Sequence, residues 1–350
     1  MDTFAVIRIL TLSSISFVAA ILWTPALTHF LYKYKLGKQI RDERDAPVFS
    51  RLHAKKSGTP TMGGLLIWGT ATVVALVVSF FDWLWDGRWS AWNFLSRSQT
   101  LLPFGTLVAS ALVGLVDDYW NVKRIGARSG GLRMRHRLLI YTAIAAVGAW
   151  WFVVKLERDS IHVPFSGDLM VGPLLYALFF VFVIVATAFS VNETDGLDGL
   201  AGGTLLAAFA TYGGIAFLEG RYDMATFCGV IVGALLAFLW FNINPARFFM
   251  GDTGAMSLGV TLGIVAMLTN TAFLLPIIGL VFVLESVSVI IQVASKKFRK
   301  KKVFLSAPIH HHFEAIGWPE PKIVMRFWII AAVTAVVGLI LAMIDIGYFS

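Results

Sequence analysis

Ten apolar runs, most of them about twenty residues long, divide the chain: about 4–32, 62–82, 99–118, 136–156, 172–191, 200–218, 224–242, 254–271, 273–294 and 326–348. Apolar residues do not alternate with polar ones inside them. A half-buried strand alternates with a period of two, and a membrane barrel does so along every strand. Runs of this length without alternation predict membrane-spanning helices, whose backbone satisfies its own hydrogen bonds. The chain reads as an all-α integral membrane protein with about ten transmembrane helices, one polytopic domain over 1–350. The first run is too long for the apolar part of a signal peptide, and its basic segment follows it, so it predicts an uncleaved span. One connector stands apart. "ERDSIHVPFSGDLMV" (157–171) mixes turn residues with β-formers and predicts a small external hairpin.

Composition agrees with that pattern. The chain is 57% hydrophobic and 14% charged, against about 45–50% and about 25% in soluble domains. Its single cysteine, Cys228, lies inside an apolar run. It excludes an intrachain disulfide and a cysteine metal site.

Charge sets the orientation. Of 29 Lys and Arg, 23 fall in segments 33–61, 119–137, 243–253 and 295–326, all on one side of a ten-span plan. The Lys/Arg-rich side is cytoplasmic. Both termini are then extracytoplasmic, and the cytoplasmic loops are about 33–61, 119–135, 192–199, 243–253 and 295–325. This bias and anionic lipid headgroups account for the net charge of +8 without nucleic acid. The Trp-rich stretch 83–98 reads as an interfacial belt on the other side.

Five polar clusters interrupt the apolar pattern: "KKSGTPTMGG" (55–64), "LVDDY" (115–119), "NETDGLDGLAGG" (192–203), "FNINPARFFMGDTG" (241–254) and "PIHHHFE" (308–314). All fall on the cytoplasmic side, which predicts one polar site at one membrane surface. Asp117 and Asp118 end a helix that runs inward. Carboxylates there oppose the helix dipole and repel each other, so they are the acids least suited to capping. The ordinary reading is a solvated helix end; the functional one is a pair held for a metal, a proton or a cationic group. Asn192, Asp195 and Asp198 are spaced to share one face of a helix they lead into. Capping explains one Asp, not all three residues. Asp252 begins a helix as a cap or as a ligand. Of Phe248 and Phe249, the ordinary role is an interfacial anchor, and the alternative is stacking on a base. "SGTPTMGG" lacks the P-loop order but offers glycines and a helix start to an anion. His310, His311 and His312 lack zinc spacing and suit a phosphate better. Glu285 lies inside the ninth run and reads as a structural acid. Hard oxygen ligands beside basic groups suit Mg²⁺ and phosphoryl transfer.

These motifs, in order from about residue 55 to 314, resemble the polyprenyl-phosphate N-acetylhexosamine-1-phosphate transferases. "HHHFE" favours the muramoyl-pentapeptide branch over the enzymes that transfer GlcNAc-1-phosphate. The resemblance implies that UDP-MurNAc-pentapeptide and undecaprenyl phosphate give lipid I and UMP. It also implies Mg²⁺, a homodimer, the bacterial inner membrane and a cytoplasmic active site for peptidoglycan synthesis. Matched by motif, Asp117, Asp118 and Asp252 are the essential acids, and Asp252 with Asn192 binds Mg²⁺. Asp195, Asp198, Asn242, Phe249 and a lysine at 55 or 56, with Lys56 preferred, contact the uridine end. His310, His311 and His312 line the sugar-phosphate side. Where the family pattern has a lysine three residues after the aspartate pair, this chain has Asn121, with Lys123 and Arg124 nearby. Glu193 is an added acid. Two routes are open: direct attack, with Asp117 as base or as the group orienting the phosphate, and a two-step route through Asp252. A transporter is the reading from another class. Its sites usually lie at the midplane within a repeat, and here the acids sit at one surface with no repeat.

Overall fold

The computed structural model describes residues 2–37, 56, 58–97, 99–126 and 130–347. The chain folds into a helical bundle. Its long helices are α1 (Thr3–Lys33), α2 (Leu65–Leu84), α3 (Leu101–Val122), α4 (Met134–Trp150), α5 (Pro173–Thr194), α6 (Leu200–Leu218), α7 (Tyr222–Asn242), α8 (Gly251–Leu268), α9 (Leu280–Phe298) and α11 (Glu320–Asp345). A short α10 (Ile309–Ala315) precedes the last. Among the described residues, nine helices are long and apolar enough to cross a membrane. A bent pair raises that to ten if it counts as one span. Most of segment 33–61, including Lys55, lies outside the described residues.

α8 is the axis of the bundle, with 94% of its span buried. It packs against α3 and α5 most extensively. Small residues permit this. A Cβ at Gly259 would stand 2.8 Å from the Ala188 Cα, and one at Gly263 would stand 2.9 Å from Ile184. Apolar lipid drives helices together weakly, so close backbone approach at small residues supplies the packing.

The predicted hairpin is present. β1 (Ser160–Val163) pairs antiparallel with β2 (Gly167–Met170), with His162 opposite Asp168. His162 also reaches Asp345 at the end of α11, Nε2 to Oδ2 2.7 Å. The hairpin is thereby clasped to the last helix.

The ninth run is not one straight helix. Ala272–Ile278 and Leu280–Phe298 meet at 84°. Pro276 lies in the first turn of the α-helical part of the first piece, Leu275–Ile278, and Gly279 separates the two pieces, residues that begin and end helices readily. The turn changes the meaning of Glu285. On α9 the buried polar residues Glu285, Ser288, Gln292 and Ser295 form one stripe, while Leu284, Val287 and Ile291 are exposed. The stripe faces the 301–312 segment. The Gln292 amide ties the two together: its Nε2 donates to the Phe304 carbonyl, and its Oε1 accepts from the Val303 and Phe304 N–H groups. Glu285 is part of an amphipathic face.

Candidate active site

Asp117 and Asp118 are adjacent but do different things. Asp118, 3% exposed, accepts the backbone N–H of Asp252 at 3.1 Å and of Thr253 at 3.0 Å. It therefore caps the first turn of α8 from another helix, satisfying amide groups that the helix itself cannot. Sequence reasoning made this pair the least suited to capping, and for Asp118 the structure corrects that. The Thr61 hydroxyl donates to the same carboxylate at 3.1 Å. Gly251 sits at φ 73°, where a Cβ would lie 2.5 Å from both Asp118 Oδ2 and Thr61 Oγ1. Only glycine allows the cap to close.

Asp117 is fully buried and points the other way. Its Oδ1 accepts from the Leu132 amide at 2.6 Å. Its Oδ2 accepts from Arg137 Nε at 2.8 Å. Arg137 is the residue that sequence reasoning missed. From the first turn of α4 it donates Nη1 to Asn192 Oδ1 at 3.1 Å and Nη2 to Asp252 Oδ2 at 2.7 Å. Asn192 Nδ2 in turn donates to Asp252 Oδ1 at 2.6 Å. Its signal was available: an arginine at the edge of the fourth apolar run needs a partner.

Asp252 lies in the first turn of α8, and its side chain caps nothing there. The expected shared helix face for Asn192, Asp195 and Asp198 does not form. Asn192 is near the C-terminal end of α5, Asp195 is that helix's C-cap, and Asp198 lies in the turn before α6. The turn instead distributes the three. Asn192 joins Arg137. Asp195 accepts the Gly251 amide at 3.1 Å. Asp198 faces Lys56, Nζ to Oδ1 2.7 Å.

The glycines of "SGTPTMGG" pack rather than cradle. Gly63 and Gly64 donate their amides to the Phe249 and Met250 carbonyls, both at 2.8 Å, and a Cβ on Gly64 would overlap Gly254. The two phenylalanines separate. Phe248 is buried against Phe238 and Phe241. Phe249 is half-buried, with Lys56 Nζ 5.8 Å from its ring centroid. Asn242 is buried and holds the frame: it donates to the Phe248 carbonyl at 2.8 Å and accepts the Gly199 amide at 2.9 Å.

The three histidines lie on α10, where successive side chains diverge. His310 is buried, Nδ1 2.8 Å from Glu285 Oε2, with its Nε2 face against Gly196, where a Cβ would overlap it. His311 pairs with Glu314 at 2.6 Å. His312 contacts the Phe304 ring and accepts the Leu305 amide at 3.3 Å. Burial alone would lower the His310 pKa. The Glu285 charge and hydrogen bond, with Glu314 and Glu193, outweigh it and hold the imidazole above its ordinary value. Of the three, His310 is the one that abuts the 195–199 turn.

Thus all five clusters meet at one end of the bundle. Two carboxylates, Asp117 and Asp252, share one guanidinium, a net negative charge that a further cation would balance. Among the described residues, no group of three His, Cys, Asp or Glu is arranged to hold a metal by itself.

Residues 100–270 match the glycosyl transferase family 4 model, and residues 56–67 match a phospho-N-acetylmuramoyl-pentapeptide-transferase signature. The chain is 39% identical over 350 residues to the phospho-N-acetylmuramoyl-pentapeptide-transferase of Chloroflexus aggregans, covering 96% of this chain and 90% of that one. It is 40% identical over 328 residues to the enzyme of that name from a Geobacillus species, covering 93% and 95%. It is 37% identical over 337 residues to that from Rubrobacter xylanophilus, covering 94% and 95%. With relatives this similar along nearly their whole length, the chain belongs to the phospho-N-acetylmuramoyl-pentapeptide-transferase family, a multi-pass membrane family of phosphoglycosyl transferases.

Proposed function

We propose that the chain transfers phospho-MurNAc-pentapeptide from UDP-MurNAc-pentapeptide to undecaprenyl phosphate, giving lipid I and UMP. The observation that carries this reading is the Asp117–Arg137–Asp252 bridge beside Asn192. It is a rigid, charged cluster at one end of a lipid-facing bundle. Phosphoryl transfer needs placed charge more than covalent chemistry. The site faces the cytoplasm of a bacterial inner membrane, because the Lys/Arg-rich segments share its side. The chain works there as a homodimer, a part of the reading that rests on family resemblance.

An oxygen of the lipid phosphate attacks the β-phosphorus. A P–O bond forms there, and the phosphoanhydride bond to UMP breaks with its electron pair on the UMP phosphate. Phosphate monoesters have a second pKa near about 6 and are largely dianionic at neutral pH, so positioning dominates over base catalysis. Arg137 orients the attacking phosphate, and Asp117 holds Arg137. Asp118 holds the start of α8 and so places Asp252. His310, held by Glu285, lies on the sugar-phosphate side, with His311 and His312 framing it. Every one of these acids already accepts a hydrogen bond, which suits orientation better than nucleophilic attack by Asp252.

Mg²⁺ fits the donor set. Asp252 and Asn192 offer oxygens, and the guanidinium between them marks a place that accepts positive charge. Two protein ligands, with water and substrate phosphates as the rest, is an ordinary Mg²⁺ arrangement. When bound, it would neutralise the diphosphate and stabilise the leaving group.

The test is a pair of assays with undecaprenyl phosphate and Mg²⁺. UDP-MurNAc-pentapeptide should be turned over and UDP-GlcNAc should not. Turnover of UDP-GlcNAc alone would move the chain to the other branch, and turnover of neither by folded protein would remove the function.

A further inference from the structure

Glu320 begins α11, with Pro319 at the cap and a proline in the first turn. It lies outside the five motif clusters, yet its carboxylate joins three of their segments. Oε1 accepts from Lys56 Nζ at 2.5 Å and from the Asp198 amide at 2.7 Å. Oε2 accepts from Asn244 Nδ2 at 3.2 Å. Asp198 closes the circuit. It takes Lys56 on Oδ1 at 2.7 Å, and Asn244 Nδ2 and the Ala246 amide on Oδ2 at 2.9 and 3.1 Å. One ammonium thus lies between two carboxylates, beside the half-buried Phe249 ring.

The geometry points to Glu320 as a positioning residue for the nucleobase end of the nucleotide sugar, acting through Lys56 and the 195–199 turn. This rests on the function proposed above. A lysine is a point charge on a flexible stem. With Asp198 as its only partner it would be free to swing around that carboxylate. The second carboxylate fixes it on the Phe249 side. A base stacked on Phe249 then meets a donor, Lys56, next to an acceptor, Asp198. That pair matches the alternating acceptor and donor edge of a uracil. Glu320 also carries the Asp198 amide, so donor and acceptor are set by one side chain.

Glu320→Gln keeps the shape and an acceptor for the Asp198 amide but loses the charge that holds Lys56. UMP binding by calorimetry should weaken about tenfold, the scale of one charge-assisted contact. KM for UDP-MurNAc-pentapeptide should rise by a similar factor, with kcat and KM for undecaprenyl phosphate little changed. In a Lys56→Met background, Glu320→Gln should add nothing further. Glu320→Asp, which keeps the charge, should recover part of the UMP affinity and serves as the second variant if the glutamine protein melts early. Unchanged UMP affinity, equal losses in all three kinetic parameters, or additivity with Lys56→Met would overturn the assignment. UMP binding is read without turnover. A wild type that binds UMP but transfers neither sugar would therefore count against the reaction and leave the positioning test intact.

Discussion

The Asp118 carboxylate accepts the backbone amides of Asp252 and Thr253, 134 and 135 residues further along the chain. One acid of the aspartate pair therefore holds the helix that carries the third acid. Asp118→Asn keeps one acceptor but sets an amide NH₂ against an N–H. The lost cap should cost about 1–2 kcal/mol, lowering Tm by a few degrees. A shift of Asp252 should lower kcat by about 100-fold. Thermal melts and steady-state rates on the same preparation check both. A fall in kcat with unchanged Tm would assign Asp118 a direct role instead.

Among the described residues, Arg137 is the cation that touches Asp117, Asn192 and Asp252 together. Arg137→Ala leaves buried acids without their partner, a cost of about 3–5 kcal/mol, and should abolish most activity. Arg137→Lys keeps the charge but cannot bridge three groups at once, so intermediate values are expected. Added Mg²⁺ should raise the Tm of Arg137→Ala more than that of the wild type, because Asp117 and Asp252 then lose the cation that pairs with both. Equal Mg²⁺ shifts would contradict the placement of a metal at Asp252 and Asn192.

Two glycines with the same backbone angle separate strain from collision. Gly220 and Gly251 both have φ 73°. A Cβ at Gly220 meets nothing within 4 Å, whereas one at Gly251 lies 2.5 Å from Asp118 and Thr61. Gly220→Ala should cost about 1 kcal/mol of left-handed strain. Gly251→Ala should cost more than that and should also remove activity. Equal melting shifts in the two variants would count against the Asp118 cap.

The hairpin clasp should be pH-sensitive. Burial lowers the His162 pKa, but hydrogen bonds to Asp168 and Asp345, each at 2.7 Å, raise it above the ordinary imidazole value. An imidazole that donates from both nitrogens carries the extra proton. Its folded pKa exceeds the unfolded one, so its stabilisation is complete below about 6.5. It is lost as pH rises through the folded value. Glu219, pushed up to about 7 by burial, acts with the same sign. Tm should therefore decline from about pH 4.5, the Glu219 share ending at about 7, and go on falling through the His162 value; His162→Ala should remove the part above about 6.5 and leave the lower part.

How much of this was legible beforehand depends on the range of the signal. Hydropathy is local, so nine spans and the 157–171 hairpin could be read directly. Segment charge then placed all five clusters on one side. The 84° turn at Gly279 was hidden because apolar composition continues through it. The capping by Asp118 was hidden for a different reason: its partner amides are distant in sequence, and no propensity reports them. Glu320 was missed because the last run was begun at 326, where hydropathy rises. The Pro-Glu-Pro at 319–321 is the better marker, since proline and an acid both favour a helix start. The histidine row looked like one surface, but a helix turns its neighbours apart and sends His310, His311 and His312 to separate partners.

The most direct measurement is the identity of the nucleotide released when purified protein meets UDP-MurNAc-pentapeptide, undecaprenyl phosphate and Mg²⁺. Attack at the β-phosphorus, beside the Asp117–Arg137–Asp252 bridge, releases UMP in step with lipid I. Release of UDP would mean that the sugar carbon, not phosphorus, is attacked, and would contradict phosphosugar transfer at this site.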